Sequence, residues 1–138
     1  MRRALFMTLA LLVGACAQIP ETPEEMAAKK MEPVPGKAVV YIVQGGFPEY
    51  GAGVAFDDGG EVTMWPDTFY RWVTTPGTHT IMSSEGRFNA IIKVRLEAGK
   101  VYFVQNLTAG GFGSTTDMDL QLIDDDTGRS LVRSGRMI

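Results

Sequence analysis

Phe88-Asn89-Ala90-Ile91-Ile92-Lys93-Val94-Arg95-Leu96-Glu97 reads as an extended segment with one dry face and one wet face. Phe88, Ala90, Ile92, Val94 and Leu96 fall on one side, and Asn89, Lys93, Arg95 and Glu97 on the other. That is the period of two imposed by a pleated backbone, and it calls for an apolar layer on one side only. Asp117-Met118-Asp119-Leu120-Gln121-Leu122 repeats the pattern, with Met118, Leu120 and Leu122 on the dry side. Between the two, Ala98-Gly99-Lys100 supplies a turn and Val101-Tyr102-Phe103-Val104 an apolar strand. Two half-buried strands flanking a fully apolar one decide the class as all-β.

Working outward, the same grammar continues upstream. Ala38-Val39-Val40-Tyr41-Ile42-Val43 is apolar on both faces, as a central buried strand requires. Gly53-Val54-Ala55-Phe56 and Glu61-Val62-Thr63-Met64 are joined by Asp57-Asp58-Gly59-Gly60, a strong turn signal. Phe69-Tyr70-Arg71-Trp72-Val73 ends at Thr75-Pro76-Gly77, and Thr78-His79-Thr80-Ile81-Met82 follows directly. Sixteen glycines and seven prolines suit such a strand-and-turn chain. No helix of useful length separates consecutive strands, which disfavours a parallel βαβ sheet. The expected fold is a single antiparallel β-sandwich of about seven or eight strands, immunoglobulin-like or related. It occupies residues 37–138. Asp124-Asp125-Asp126-Thr127-Gly128 is expected to close the last strand, and Ser130 to Arg136 is read as a short terminal helix, with an edge strand as the alternative.

The N-terminus obeys a different logic. Basic Arg2-Arg3 precedes an apolar run from Ala4 to Val13, and small residues lead to Cys16, the one cysteine in the chain. A basic start, a short apolar core and a small-residue exit make a secretory signal over residues 1–15. The run is about half of the ~20 residues that a spanning helix needs. Val13-Gly14-Ala15-Cys16 resembles the lipobox of bacterial lipoproteins, in which the cysteine thiol receives diacylglycerol and becomes the new N-terminus. Lipidation also accounts for a cysteine that has no disulfide partner. The resemblance implies stable anchoring, since two or more acyl chains hold a protein where one does not. Ala17, in place of an acidic residue, implies the outer membrane with the domain facing the periplasm, if the host is Gram-negative. Residues 16–36, with Pro20, Pro23, Pro33, Pro35 and several glutamates, are expected to form a mobile, extended tether, in which Glu24 to Met31 allow a turn or two of helix starting near Thr22 or Glu21.

Net charge is −3 over the whole chain and −5 once Arg2 and Arg3 leave with the signal. An acidic chain without basic clusters is a poor partner for nucleic acid, and anionic lipid does not attract it. The membrane contact expected is therefore the lipid on Cys16, with an envelope protein or polymer as the partner of the domain.

Lys37-Ala38-Val39-Val40-Tyr41-Ile42, Thr75-Pro76-Gly77-Thr78-His79-Thr80-Ile81, Leu96-Glu97-Ala98-Gly99-Lys100-Val101-Tyr102-Phe103-Val104 and Leu120-Gln121-Leu122-Ile123-Asp124 occur in this order behind the lipobox. Together they resemble the bacterial lipoproteins of domain-of-unknown-function family 2846, over about residues 37–134. The resemblance implies a small envelope β-sandwich and carries no catalytic residues with it. The stretch from Glu61 to Trp72, with its Trp65-Pro66-Asp67 turn, departs from the usual pattern.

Candidate chemistry is sparse. His79 is the only histidine, which excludes histidine-rich metal sites and leaves any catalytic triad one possible base. It is read as a strand residue that fixes the corner after Pro76-Gly77. Asp57-Asp58-Gly59-Gly60-Glu61 and the aspartates at 124–126 lack the spacing of a calcium loop and are read as turns. Glu49, Asp57, Asp67 and Glu85 are the carboxylates available to a glycan hydrolase, but no spacing brings two of them together. Gly110-Gly111-Phe112-Gly113-Ser114-Thr115-Thr116 lacks the lysine of a phosphate loop. No catalytic set, metal site or cofactor is assigned. Phe47, Tyr50, Trp65 and Phe112 fall in expected loops, where they form either a platform for a partner or plugs over the ends of the sandwich. The leading expectation is a non-enzymatic binding or accessory module. A glycan hydrolase and a purely structural envelope component are the alternatives.

Overall fold

The structure, a computed structural model, describes residues 19–46, 51–109 and 117–138. In chain order it contains α1 (Pro23–Ala28), β1 (Ala38–Gly46), β2 (Ala52–Phe56), β3 (Glu61–Met64), β4 (Thr68–Thr74) and β5 (Gly77–Glu85). It continues with β6 (Phe88–Leu96), β7 (Val101–Ala109), β8 (Asp117–Ile123), α2 (Asp125–Ser134) and β9 (Arg136–Met137). The strands form a five-stranded sheet in the order β8-β7-β1-β4-β9 and a four-stranded sheet in the order β3-β2-β5-β6. This is the expected all-β sandwich, with a short C-terminal helix and nine described strands.

The inward faces of the two sheets enclose one core. Val40 and Ile42 of β1, Trp72 of β4 and Val104 of β7 meet Val54, Ile81 and Val94 from the opposite sheet. In β6, Val94 and Leu96 are buried while Asn89, Lys93 and Arg95 are exposed, the alternation read from the sequence. Strand β1 is buried on both faces, with Ala38 to Ile42 fully enclosed. Its second face belongs to another core. There Val39, Tyr41 and Val43 pack with Phe69, Phe103, Val132, Ala28 and Met31. The molecule thus has three layers, the two helices covering the outer face of the five-stranded sheet.

Three features differ from the sequence expectation. The sandwich is not wholly antiparallel: β1 runs parallel to β7, and β4 parallel to β9. Alternation reports which face a residue occupies, not which strand lies beside it, so a parallel neighbour leaves no mark on the pattern. Residues 124–128 begin a helix, with Asp124 as its N-cap accepting from the Thr127 amide at 2.9 Å. Asp and Thr serve a turn and a helix start by the same side-chain-to-backbone bond, which is why the two readings collide here.

The third difference concerns residues 19–36, which are not an extended tether. Thr22 caps α1 by accepting from the Glu25 amide at 3.1 Å, and Pro23 occupies the first helical position. Ala28 and Met31 are 5% and 2% exposed within the outer core. The Tyr41 hydroxyl donates to the Ala28 carbonyl at 2.6 Å. Burial raises the Tyr41 pKa, so the phenol stays a donor. The carboxylate of Glu25, nearly fully buried, accepts from Arg136 at 3.2 Å and Lys29 at 3.3 Å. Two apolar residues and one buried carboxylate thus dock the turn or two of helix that the sequence allows here, a contact that the Pro- and Glu-rich composition conceals.

Candidate functional site

The path of the chain sorts the connections into two ends of the sandwich. One end holds the β2–β3 turn at residues 57–60, the β4–β5 turn at 75–76 and the β6–β7 turn at 97–100. The other holds the β3–β4 turn at 65–67, the β5–β6 turn at 86–87, and the strand ends that flank residues 47–50 and 110–116.

At the first end His79 is held on both ring nitrogens. Nδ1 lies 2.9 Å from Asp57 Oδ1, and Nε2 lies 2.8 Å from the Thr75 carbonyl. Both partners are acceptors, so only the imidazolium satisfies both. Burial lowers the His79 pKa, but the Asp57 and Thr75 hydrogen bonds and the charges of Asp57 and Asp58 outweigh it, and the net shift is upward. For Asp57 burial acts upward, while His79 and the Thr80 amide lower its pKa below the usual carboxylate value. The neighbouring Asp58 accepts from Trp72 Nε1 at 2.8 Å, and Trp72 stands edge-on to the imidazole at 5.3 Å. These contacts lock the acidic turn onto the two strands opposite. A general base needs a free Nε2 aimed at a nucleophile, and here that nitrogen faces a backbone carbonyl. The corner role read for His79 is the one its geometry supports.

The opposite end carries polar groups where the alternation demands core. Gln44 of β1 and Asn106 of β7 face into the sandwich, with Asn106 Nδ2 donating to Gln44 Oε1 at 2.8 Å. Gln44 Nε2 in turn reaches Thr108 Oγ1 at 3.3 Å. Asn106 and Ser83 are wholly enclosed, yet Asn106 Oδ1 and Ser83 Oγ find no hydrogen-bond partner among the described residues. Glu85 Oε2, two residues beyond Ser83 on the same face of β5, is likewise enclosed and unpartnered. An orphaned buried polar atom costs about 1–3 kcal/mol, so three at one end mark a feature that folding alone does not favour.

The remaining candidates divide as follows. Cys16, Phe47, Tyr50, Phe112, Glu49 and residues 110–116 lie outside the described residues. Trp65 is 52% exposed at the β3–β4 turn, its ring lying over Gly51, so it does not plug the core. Asp57 belongs to one end of the sandwich and so stands apart from Asp67 and Glu85, which belong to the other. Among the described residues no group of three acidic, histidine or cysteine side chains is placed to hold a metal. Asn106-Leu107-Thr108 matches the Asn-x-Thr glycosylation triplet, but Asn106 is interior and unsuited to carry a glycan. The buried cluster escapes a sequence reading that scores only apolar positions. Its one visible signal is Gln44, Asn106 and Thr108 standing where β1 and β7 continue their inward faces.

No protein-family model matches the chain. An uncharacterised protein of Haemophilus influenzae is 26% identical, in an alignment covering 94% of this chain and 80% of that protein. Among the described residues no helix is long and apolar enough to cross a membrane.

Proposed function

We propose that the protein is an exported lipoprotein, anchored through Cys16, whose sandwich binds an envelope partner at the end carrying Ser83, Glu85 and Asn106. The observation that carries the binding role is the trio of enclosed, unpartnered polar atoms at that end. Unsatisfied groups of this kind persist where a ligand completes them, and their cost is then recovered on binding. Engagement of both nitrogens of His79 favours binding over hydrolysis.

Ser83→Ala is the discriminating variant. It removes one orphan hydroxyl without creating a large cavity, so the unliganded domain should become more stable by about 1 kcal/mol. Capture of crosslinked envelope partners should weaken in Ser83→Ala and persist in Asp57→Asn, which alters only the far end. Equal capture by both variants and the parent would refute a ligand at this end.

A further inference from the structure

The point where the N-terminal segment leaves the domain is tied through Arg136 to the β3–β4 turn, which carries the exposed Trp65. The Arg136 guanidinium donates to the Ile19 carbonyl at 2.7 Å, and the Arg136 amide donates to the Asp67 carbonyl at 2.9 Å. Asp67 sits within the turn closed by the Thr68 amide on the Trp65 carbonyl at 3.2 Å. Ile19 and Trp65, 77% and 52% exposed, are therefore linked through Arg136, whose 44% exposed side chain reaches the one and whose backbone holds the turn of the other. Glu21 at this corner is neutralised by Lys29 at 2.5 Å.

Chain length supplies the second observation. Three peptide steps separate Cys16 from Ile19, a reach of about 10 Å when fully extended. Were residues 16–36 a free tether, the domain would range widely and no face would be selected. With residues 19–36 docked, that freedom is removed. A lipid on Cys16 would then be attached no farther than about 10 Å from Ile19.

We infer that this corner rests on the lipid bilayer, with Trp65 and Ile19 seated in the interface and Arg136 near the headgroups. The inference rests on lipidation of Cys16 and deepens the proposed function by giving the anchored domain an orientation. Tryptophan suits the site because its ring prefers the interface to either water or hydrocarbon. A leucine-sized side chain beside it adds apolar burial. The cluster of Ser83, Glu85 and Asn106 lies on β5 and β7, away from the β3–β4 edge.

The test uses the full chain, processed in a bacterial host and reconstituted into phosphatidylethanolamine–phosphatidylglycerol vesicles with bromine high on the acyl chains. The mass of the N-terminal peptide reports acylation first. The chain has two tryptophans, and Trp72 is buried, so the difference between the parent and Trp65→Phe isolates the emission of Trp65. The expected result is an acylated peptide, strong loss of Trp65 emission in brominated vesicles, and unchanged Trp72 emission in the variant. Acylated protein with unquenched Trp65 overturns the contact and leaves the anchor standing; if that protein also runs as a dimer, a second copy covers the corner. An unmodified Cys16 overturns the anchor and the inference together.

Discussion

The imidazole of His79 joins strand β5 to the turn at residues 57–60, and its proton is part of that joint. Its pKa is raised in the folded protein, so the contribution to stability is full below the unfolded value of about 6.5 and is lost as pH rises through the higher folded value. The Asp57 pKa is lowered, so its contribution is present above the unfolded value of roughly 3.9 and is lost as pH falls through the lower folded value. The pair therefore stabilises most between about pH 4 and pH 6.5. Denaturation midpoints taken from pH 6 to pH 9 should fall in the parent and stay flatter in His79→Gln. Because the chain holds a single histidine, the difference between the two curves belongs to this residue. Parallel curves would show that the pair contributes nothing. The role of His79 at a corner is legible from Pro76-Gly77 beside it. Its partner is not, since 22 residues separate Asp57 from His79 and only the β2–β5 pairing closes that gap.

At the scale of elements, α2 illustrates a packing constraint that outranks helix propensity. Gly128 lies inside the helix, where alanine would ordinarily be favoured by about 1 kcal/mol. A Cβ placed there would stand 2.5 Å from Phe103 Cβ, and Phe103 is locked between α2 and the ring of Tyr41. Gly128→Ala should therefore destabilise the fold by about 1–3 kcal/mol, the usual cost of overpacking. A neutral or stabilising effect in urea titration would show that α2 can lift off the sheet at little cost. Strands β6 and β8 were readable because each presents one face to water, so their residues sort cleanly by polarity. Strand β7 was readable as buried, but its parallel pairing with β1 was not. The return from β1 to β7 crosses the whole second sheet, and no local signal records a neighbour that distant.

For the molecule as a whole, the docked N-terminal segment changes what the domain is. Residues 37–138 suffice for the core between the sheets, and the second core is completed by α1, by Met31 and by the bonds of Arg136 to Glu25 and Ile19. A turn or two of helix from Glu24 is legible beside Thr22, but its docking is not, because a docked helix needs only a few apolar contacts while composition averages over the whole stretch. A chain lacking residues 17–36 should accordingly lose the burial of Met31 and Ala28 and leave the Tyr41 hydroxyl without its carbonyl. Burying one large apolar side chain stabilises by about 1.5–3 kcal/mol, and an unpartnered buried hydroxyl costs a further 1–3 kcal/mol or so. The truncated domain should thus be less stable by about 3–6 kcal/mol, a large share of the 5–15 kcal/mol typical of a domain. Urea midpoints for the two chains provide the measurement, with Tyr41 becoming accessible to nitration in the shorter one. Equal midpoints would return the segment to the status of a free linker. The proposed contact of Trp65 and Ile19 with the bilayer would then lose its support, because it depends on the helix staying down.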